Sequence, residues 1–343
     1  MSIHQRIRKA LGGGLVALAL SPVLSMAQGD DMRLKVHVYP GNPTSLYTFI
    51  GAAKGFYKDA GLDVEMVKIA SGPQANAALA SGSVNVVLSS ADNMLLLKEQ
   101  KFKPVVISGN LVRPLFLLAA KDPSTFPHAG QGYPAVMQDF KGRTIGVYGR
   151  GSASDRFMRQ LLREAGLSPD IAQYATVAGP SQSIAGLMSG QFDAVTEVFG
   201  GLIMAELTGA GKALLDCSVS RCPDSIEQAG KMAQVYFTTQ EFIGSHEKAM
   251  KAFVEAHRKI NAWVHDPSNA TELKKVVSEV LPAPSGVDTD KYFGRMATDM
   301  QRYFGVTVDP KAVEATQAQM LASGELKQAL PLDEMIWQGA PRN

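Results

Sequence analysis

Cysteine is nearly absent from this chain: there are two, Cys217 and Cys222, in 343 residues. No histidine lies beside them to complete a tetrahedral metal site. The histidines His37, His128, His246, His257 and His265 are scattered, with no i,i+4 pair next to a carboxylate. That spacing excludes the common zinc motifs, and no metal is expected. A G-x-S-x-G nucleophile elbow and a Walker loop are also missing, and Gly149-Arg150-Gly151 starts a G-x-G-x-x-G pattern without its last glycine. Charge of one sign is lacking too, with 34 Lys and Arg against 32 Asp and Glu. No basic field is available to attract nucleic acid or an anionic membrane surface. No apolar run reaches the roughly 20 residues of a membrane-spanning helix.

What is present begins at the N-terminus. Arg6, Arg8 and Lys9 precede an apolar stretch over residues 11–20, and Ser25-Met26-Ala27 follows. A positive segment, a short apolar segment and small residues at −3 and −1 predict a secretory signal peptide cleaved after Ala27. Gln28 follows the cut, so no lipid anchor is expected, and the mature chain should be free in a bacterial periplasm. In an oxidising compartment, two cysteines with four residues between them in DCSVSRCPD suggest a local disulfide that staples a loop.

Along the chain, short apolar strands alternate with helices and small polar loops. Residues 34–39 alternate as a first strand and end in Pro40-Gly41-Asn42-Pro43-Thr44-Ser45. A helix is predicted over 45–58, a strand over 62–69, the loop Ser71-Gly72-Pro73, and a helix over 74–81. Residues 84–88 form a continuous apolar run, as a buried parallel strand does, and Ser89-Ser90-Ala91-Asp92 follows as a loop. Strands are predicted over 104–108 and 115–119, a surface loop over 122–134, and a second strand–helix series from 140. That series contains the loop 149–155, a helix ending near Gly166, strands at 174–177 and 192–197, and a helix over 181–189. A strand at 234–238 leads into a mainly helical stretch to Leu281. The phrases ALASGSVNVV and GLMSGQFDAV echo each other, an apolar helix ending at Ser-Gly before a buried strand, and suggest two lobes on one plan.

Several phrases carry a resemblance. They are LKVHVY, GFYKDAGLDVEMV and AALASGSVNVV, then DFKGRTIGVYGRGSASDRFMRQLLREAGL, GLMSGQFDAV and TTQEFIGSHEKAMKAFVEAHRKINAWVHDPSNA. Together they resemble the solute-binding proteins of ABC importers in the taurine, alkanesulfonate, nitrate and thiamine-precursor (NMT1/THI5-like) group. The resemblance covers nearly the whole mature chain. It implies an α/β, two-lobed periplasmic binding protein (type II), each lobe an open, mostly parallel sheet flanked by helices. Residues 28–114 plus 241–343 would make one lobe and 115–240 the other, closing on a solute by hinge motion. One departure is that Glu197-Val198-Phe199-Gly200-Gly201 holds a single aromatic where relatives with small anionic solutes are often aromatic-rich.

The candidate site follows from strand-end loops, where open α/β sheets bind ligands. Gly151, Ser152, Ala153 and Ser154 stand where a loop meets a helix N-terminus, a place that suits an anion; the ordinary outcome is that a serine there only caps the helix. Arg150 and Arg113 could add a charge-assisted bond to a carboxylate or sulfonate, although a surface arginine is the commoner outcome. Ser71, Gly72 and Gln74 and Ser89, Ser90 and Ala91 are the first-lobe counterparts, with turn chemistry as the plain alternative. Tyr39, Asn42, Thr44 and Tyr47 lie where the resemblance places part of the pocket, and Tyr47 fits a core position equally well. Glu197, at a strand end, could pair with an amino or amidine group of a ligand; its ordinary roles are a solvated glutamate or an interlobe salt bridge.

These features favour capture of a small polar organic solute, a sulfonate or carboxylate first, for a membrane permease and its ATPase. A nitrogen heterocycle such as a thiamine-precursor pyrimidine is the alternative ligand, and a sensory binding protein feeding a receptor is the alternative role. An enzyme is disfavoured because the cysteine cluster of the related pyrimidine synthase is lacking. A transcription-factor effector domain is disfavoured because an export signal occupies the place of a DNA-binding domain. No cofactor and no nucleic acid is expected, and the protein should act as a monomer.

Overall fold

The computed structural model describes residues 32–342. The signal-peptide expectation for 1–27 lies outside them. The first lobe opens with β1 (Arg33–Val38), α1 (Leu46–Ala53), α2 (Phe56–Asp59), β2 (Asp63–Lys68), α3 (Gly72–Ala80), β3 (Val87–Ser89), α4 (Ala91–Glu99) and β4 (Pro104–Leu111). The second lobe holds β5 (Phe116–Ala120), β6 (Thr144–Val147), α5 (Ala153–Glu164), β7 (Gln173–Thr176), α6 (Pro180–Ser189), β8 (Ala194–Val198), α7 (Phe199–Leu207), β9 (Lys212–Asp216) and α8 (Asp224–Gly230). The chain then returns as β10 (Gln234–Thr239), α9 (Gln240–Ser245), α10 (Glu247–His265), α11 (Ala270–Val280), α12 (Thr289–Tyr303) and α13 (Pro310–Ala322).

The two sheets share one plan. The second has the order β7-β6-β8-β5-β9. In the first, β1 pairs with β2, β10 lies between β3 and β4, and a parallel bridge from Val36 to Val86 joins the two groups. The combined order is β2-β1-β3-β10-β4. In each sheet the fourth strand runs against its neighbours, β5 in one and β10 in the other. Each of these is the first strand after the chain crosses between lobes, which explains its reversed direction. The remaining strands agree with the mostly parallel sheets expected.

The core explains the patterning. All eight residues of β4 are buried, as befits a strand covered on both faces. On α5, Met158, Leu161 and Leu162 recur at i, i+3 and i+4 and are buried on one stripe. Apolar residues of β8, α6 and α7 (Val198, Ile184, Phe199 and Ile203) join the first-lobe core, so the lobes pack against each other.

Four differences from the sequence reading have physical causes. The helix expected over 45–58 is split, because Gly55 adopts a left-handed φ of 79° between α1 and α2. The strand at 234–239 pairs with β3 and β4, so it stands in the first lobe's sheet and not within the 115–240 segment. β9 and α7 carry no periodic signal: β9 is five residues long, and α7 is buried on nearly all sides. The helices α12 and α13, beyond the stretch read to Leu281, complete the first lobe. Cys217 and Cys222 do form a disulfide, with Cα atoms 5.4 Å apart, and both are buried.

Candidate functional site

The first-lobe loops form a connected hydrogen-bond group. The Tyr39 hydroxyl lies 3.2 Å from Ser89 Oγ, and Asn93 Nδ2 donates to Ser89 and Ser90 at 3.1 and 3.0 Å. Ser71 precedes α3 and is half-buried, while Gln74 is exposed. Gly72 is required here: a Cβ would stand 2.2 Å from Asn93 Nδ2 and 2.7 Å from Ser89 Oγ. Asn42 spends its side-chain oxygen on the Thr44 N–H at 2.9 Å. The Thr44 carbonyl accepts from Asn110 at 2.9 Å, and Thr44 Oγ1 is buried without a partner. Tyr47 is placed elsewhere. It is fully buried in the core, donates to Asn261 at 2.8 Å and packs on Phe304.

The second-lobe loop uses its own donors. Ser152 accepts the Asp155 N–H at 3.3 Å, and Ser154 Oγ accepts the Tyr148 N–H at 2.8 Å. The Gly151 N–H donates to Asp155 at 2.8 Å, and Arg159 closes on the same carboxylate at 2.9 Å. Asp155 therefore already supplies the negative charge that the start of α5 favours. Gly151 sits at a φ of 71°, so glycine is the comfortable residue in that turn. Arg150 is exposed and lies over the Tyr174 ring, 5.0 Å from its centroid. Arg113 is exposed on the crossing between β4 and β5. Among the described residues neither arginine hydrogen-bonds to the serines of these loops, although Arg150 belongs to the loop of Ser152.

Glu197 is neither solvated nor ion-paired. It is fully buried at the end of β8, where Tyr148 donates to Oε2 at 2.5 Å and the Val198 N–H donates at 3.2 Å. Its other oxygen, Oε1, is buried with no partner. Burial pushes the carboxyl up to about 7, against the pull of Ser183, Tyr148 and the Val198 N–H. Gly201 makes room for it, since a Cβ there would lie 1.9 Å from Oε2. Burial raises the Tyr292 hydroxyl to about 12, and the Glu197 charge adds to the shift, so α12 of the first lobe stands close by.

Between the lobes lies a cleft with about 750 Å³ of empty space, part of it open to solvent. Ser90, Ala91 and Ala153 line it, so three of the residues singled out from the sequence meet there. Leu115, Phe116, Phe157, Ile226 and Met232 supply an apolar wall. Arg156 crosses the cleft. It pairs with Asp92, meets Glu325 at 3.4 Å and donates to the Gly151 carbonyl at 2.6 Å. A Cβ on Gly200, at the start of α7, would sit 3.0 Å from Pro43 Cγ, so the two lobes also approach each other there. The sequence reading did not single out Tyr148, Asp92, Arg156 or Asn110. Their roles come from partners 49 to 66 residues away, which leave no local pattern. Among the described residues no group of histidine, cysteine or carboxylate side chains could hold a metal, and no helix is long and apolar enough to cross a membrane.

Two lobes of matching strand order around one cleft define a periplasmic binding protein fold. The family model described as "NMT1/THI5 like" matches residues 42–270, and the chain belongs to that family. Among solved structures, a Bordetella bronchiseptica RB50 protein is 20% identical with a TM-score of 0.71, covering 90% of this chain and 95% of its own. The Escherichia coli periplasmic aliphatic sulphonate binding protein SsuA is 15% identical with a TM-score of 0.68, covering 91% and 94%. The periplasmic nitrate-binding protein NrtA of Synechocystis PCC 6803 is 16% identical with a TM-score of 0.66, covering 89% and 86%. At these identities the likeness is one of fold. No curated protein sequence matches the chain.

Proposed function

We propose that this chain is the solute-binding component of an ABC importer, exported to the periplasm with its signal peptide removed after Ala27. As a monomer it captures a small polar organic solute, a sulfonate or carboxylate first, and delivers it to a membrane permease with its ATPase. One observation carries the reading: Ser90 and Ala91 of the first lobe, Ala153 of the second and both chain crossings, at Pro114–Leu115 and Gly230–Ala233, line one cleft between the lobes. Such a cleft binds by bringing preformed donors together as the lobes close. The relatives named for sulfonate and nitrate support the role. Tyr39, Asn42, Thr44, Ser71, Gly72, Ser89, Ser90, Ala91, Gly151, Ser152, Ala153 and Ser154 remain the proposed contacts, and no catalytic residue is needed.

The buried carboxyl of Glu197 favours a second reading, a solute with an N–H donor such as an aminopyrimidine. A thermal-shift screen of the purified protein separates the two. Ligand at 100 times its Kd adds about 2.7 kcal/mol. At roughly 2–4 °C per kcal/mol for chains of 150–250 residues, the shift is readable. Stabilisation by sulfonates or carboxylates upholds the first reading, and stabilisation by aminopyrimidine alone upholds the second. No stabilisation, together with native mass spectra free of any retained solute, would overturn both.

A further inference from the structure

The chain leaves the first lobe at the end of β4 and re-enters it at the start of β10, and the pairing of these two strands breaks at one residue. Gln234 faces Leu111 and Val235 faces Gly109, so Asn110 has no counterpart on β10 and is the extra residue of a bulge. Asn110 is fully buried, and its side chain joins two other segments. Nδ2 donates to the Thr44 carbonyl at 2.9 Å and to Gln234 Oε1 at 3.2 Å. Its backbone carbonyl accepts the Gly305 N–H at 3.1 Å. A bulge re-aims a side chain, and this one sets an amide against the loop 42–45. That loop carries two of the proposed solute contacts, Asn42 and Thr44, and its Pro43 approaches Gly200 of the second lobe. Leu111 and Gln234 are the last paired residues of the two strands. Beyond them the crossings touch again, where a Cβ on Gly230 would stand 2.6 Å from Pro114.

Resting on the solute-binding reading, we propose that Asn110 is a positioning residue at the base of the hinge. It ties the loop 42–45 to both crossings, so that lobe movement bends residues 112–115 and 230–233 and leaves the solute loop in place. A buried amide suits this task because its two N–H groups answer a carbonyl of the loop and an acceptor on the returning strand together. Aspartate has the same shape and, when ionised, no donor, so Asn110→Asp sets a carboxylate against two acceptor oxygens.

Hydrogen exchange read by mass spectrometry on the purified, solute-free chain tests the assignment. In wild type, residues 112–115 and 230–233 should exchange faster than 42–46 and 105–111. Asn110→Asp should speed exchange over 42–46 and over 230–236 by about fivefold or more. Gln234→Leu removes only the acceptor on the returning strand. It should speed 230–236 and leave 42–46 within about twofold of wild type. The peptide 153–164 of α5 should keep its wild-type rate in every variant, which a general loss of stability would not allow. Asn110→Ala carries no misplaced carboxylate and should loosen 42–46 in the same way, so the test stands if the aspartate variant does not fold. Unchanged exchange at 42–46 in Asn110→Ala would overturn the proposal. So would a uniform rise that includes α5, or wild-type crossings as slow as β4. No solute enters these measurements, so their failure leaves the solute-binding reading standing, and the thermal-shift screen decides that reading separately.

Discussion

Glu197 is fully buried at the end of β8, with Oε2 accepting from Tyr148 and no basic side chain paired with the carboxyl among the described residues. An unfolded glutamate titrates near 4.5, and this one is pushed up to about 7. Between those values the unfolded chain releases its proton first, so the native state binds more protons and stability falls as pH rises. The loss amounts to roughly 3 kcal/mol once pH exceeds 7. Urea unfolding at pH 5 and pH 8 should show wild type losing more stability across that interval than Glu197→Gln. Equal pH dependence in the two proteins would show that Glu197 titrates normally. The strand-end position of Glu197 was legible in the sequence. The Tyr148 partner was not, because β6 and β8 meet only through the parallel sheet order. Tyr47 and Arg150 show the reverse: both have suitable chemistry for a site, but a helix face and an edge strand turn them elsewhere.

At the scale of elements, the glycine- and serine-bearing loops were legible because turn residues interrupt short apolar runs at each strand end. Where an element is buried all round, as α7 is, the helical period disappears from the sequence. The reversed strand β10 reads as a strand, but which sheet it joins is decided by pairing with residues more than a hundred positions away. The disulfide was legible from compartment and spacing. It closes a short loop ahead of α8, whose Ile226 packs in the same core cluster as both cysteines. With a sequence separation of 5, the chain-entropy relation gives about 2 kcal/mol of stabilisation. Cys217→Ser with Cys222→Ser should therefore lower the melting temperature by roughly 4–8 °C. Reductant should do the same to wild type and nothing to the double variant. An unchanged melting temperature would mean that the buried packing around the loop suffices.

At the scale of the whole molecule, polar ties add to the apolar packing between the lobes. The Tyr303 hydroxyl lies 2.8 Å from Ser218 Oγ, Arg295 meets Glu206 at 2.5 Å, and Gln228 donates to Asp309 at 3.0 Å. Arg295 is half-exposed, so that pair contributes little. Arg156 differs: its side chain is 16% exposed, and Asp92 and Glu325 are both first-lobe carboxylates. Replacing it by methionine keeps most of the packing volume but leaves the two first-lobe carboxylates without the second-lobe guanidinium that ties them across the cleft. The closed form should then lose roughly 1–3 kcal/mol, below the range for a fully buried pair because water reaches this one. Closure and binding are linked, so a ligand that needs the closed form should bind Arg156→Met about 5-fold or more weakly. Small-angle scattering of the unliganded variant should give a larger radius of gyration than wild type, and saturating ligand should restore the compact value. An unchanged radius with weakened binding would make Arg156 a ligand contact and not the tie that keeps the lobes together.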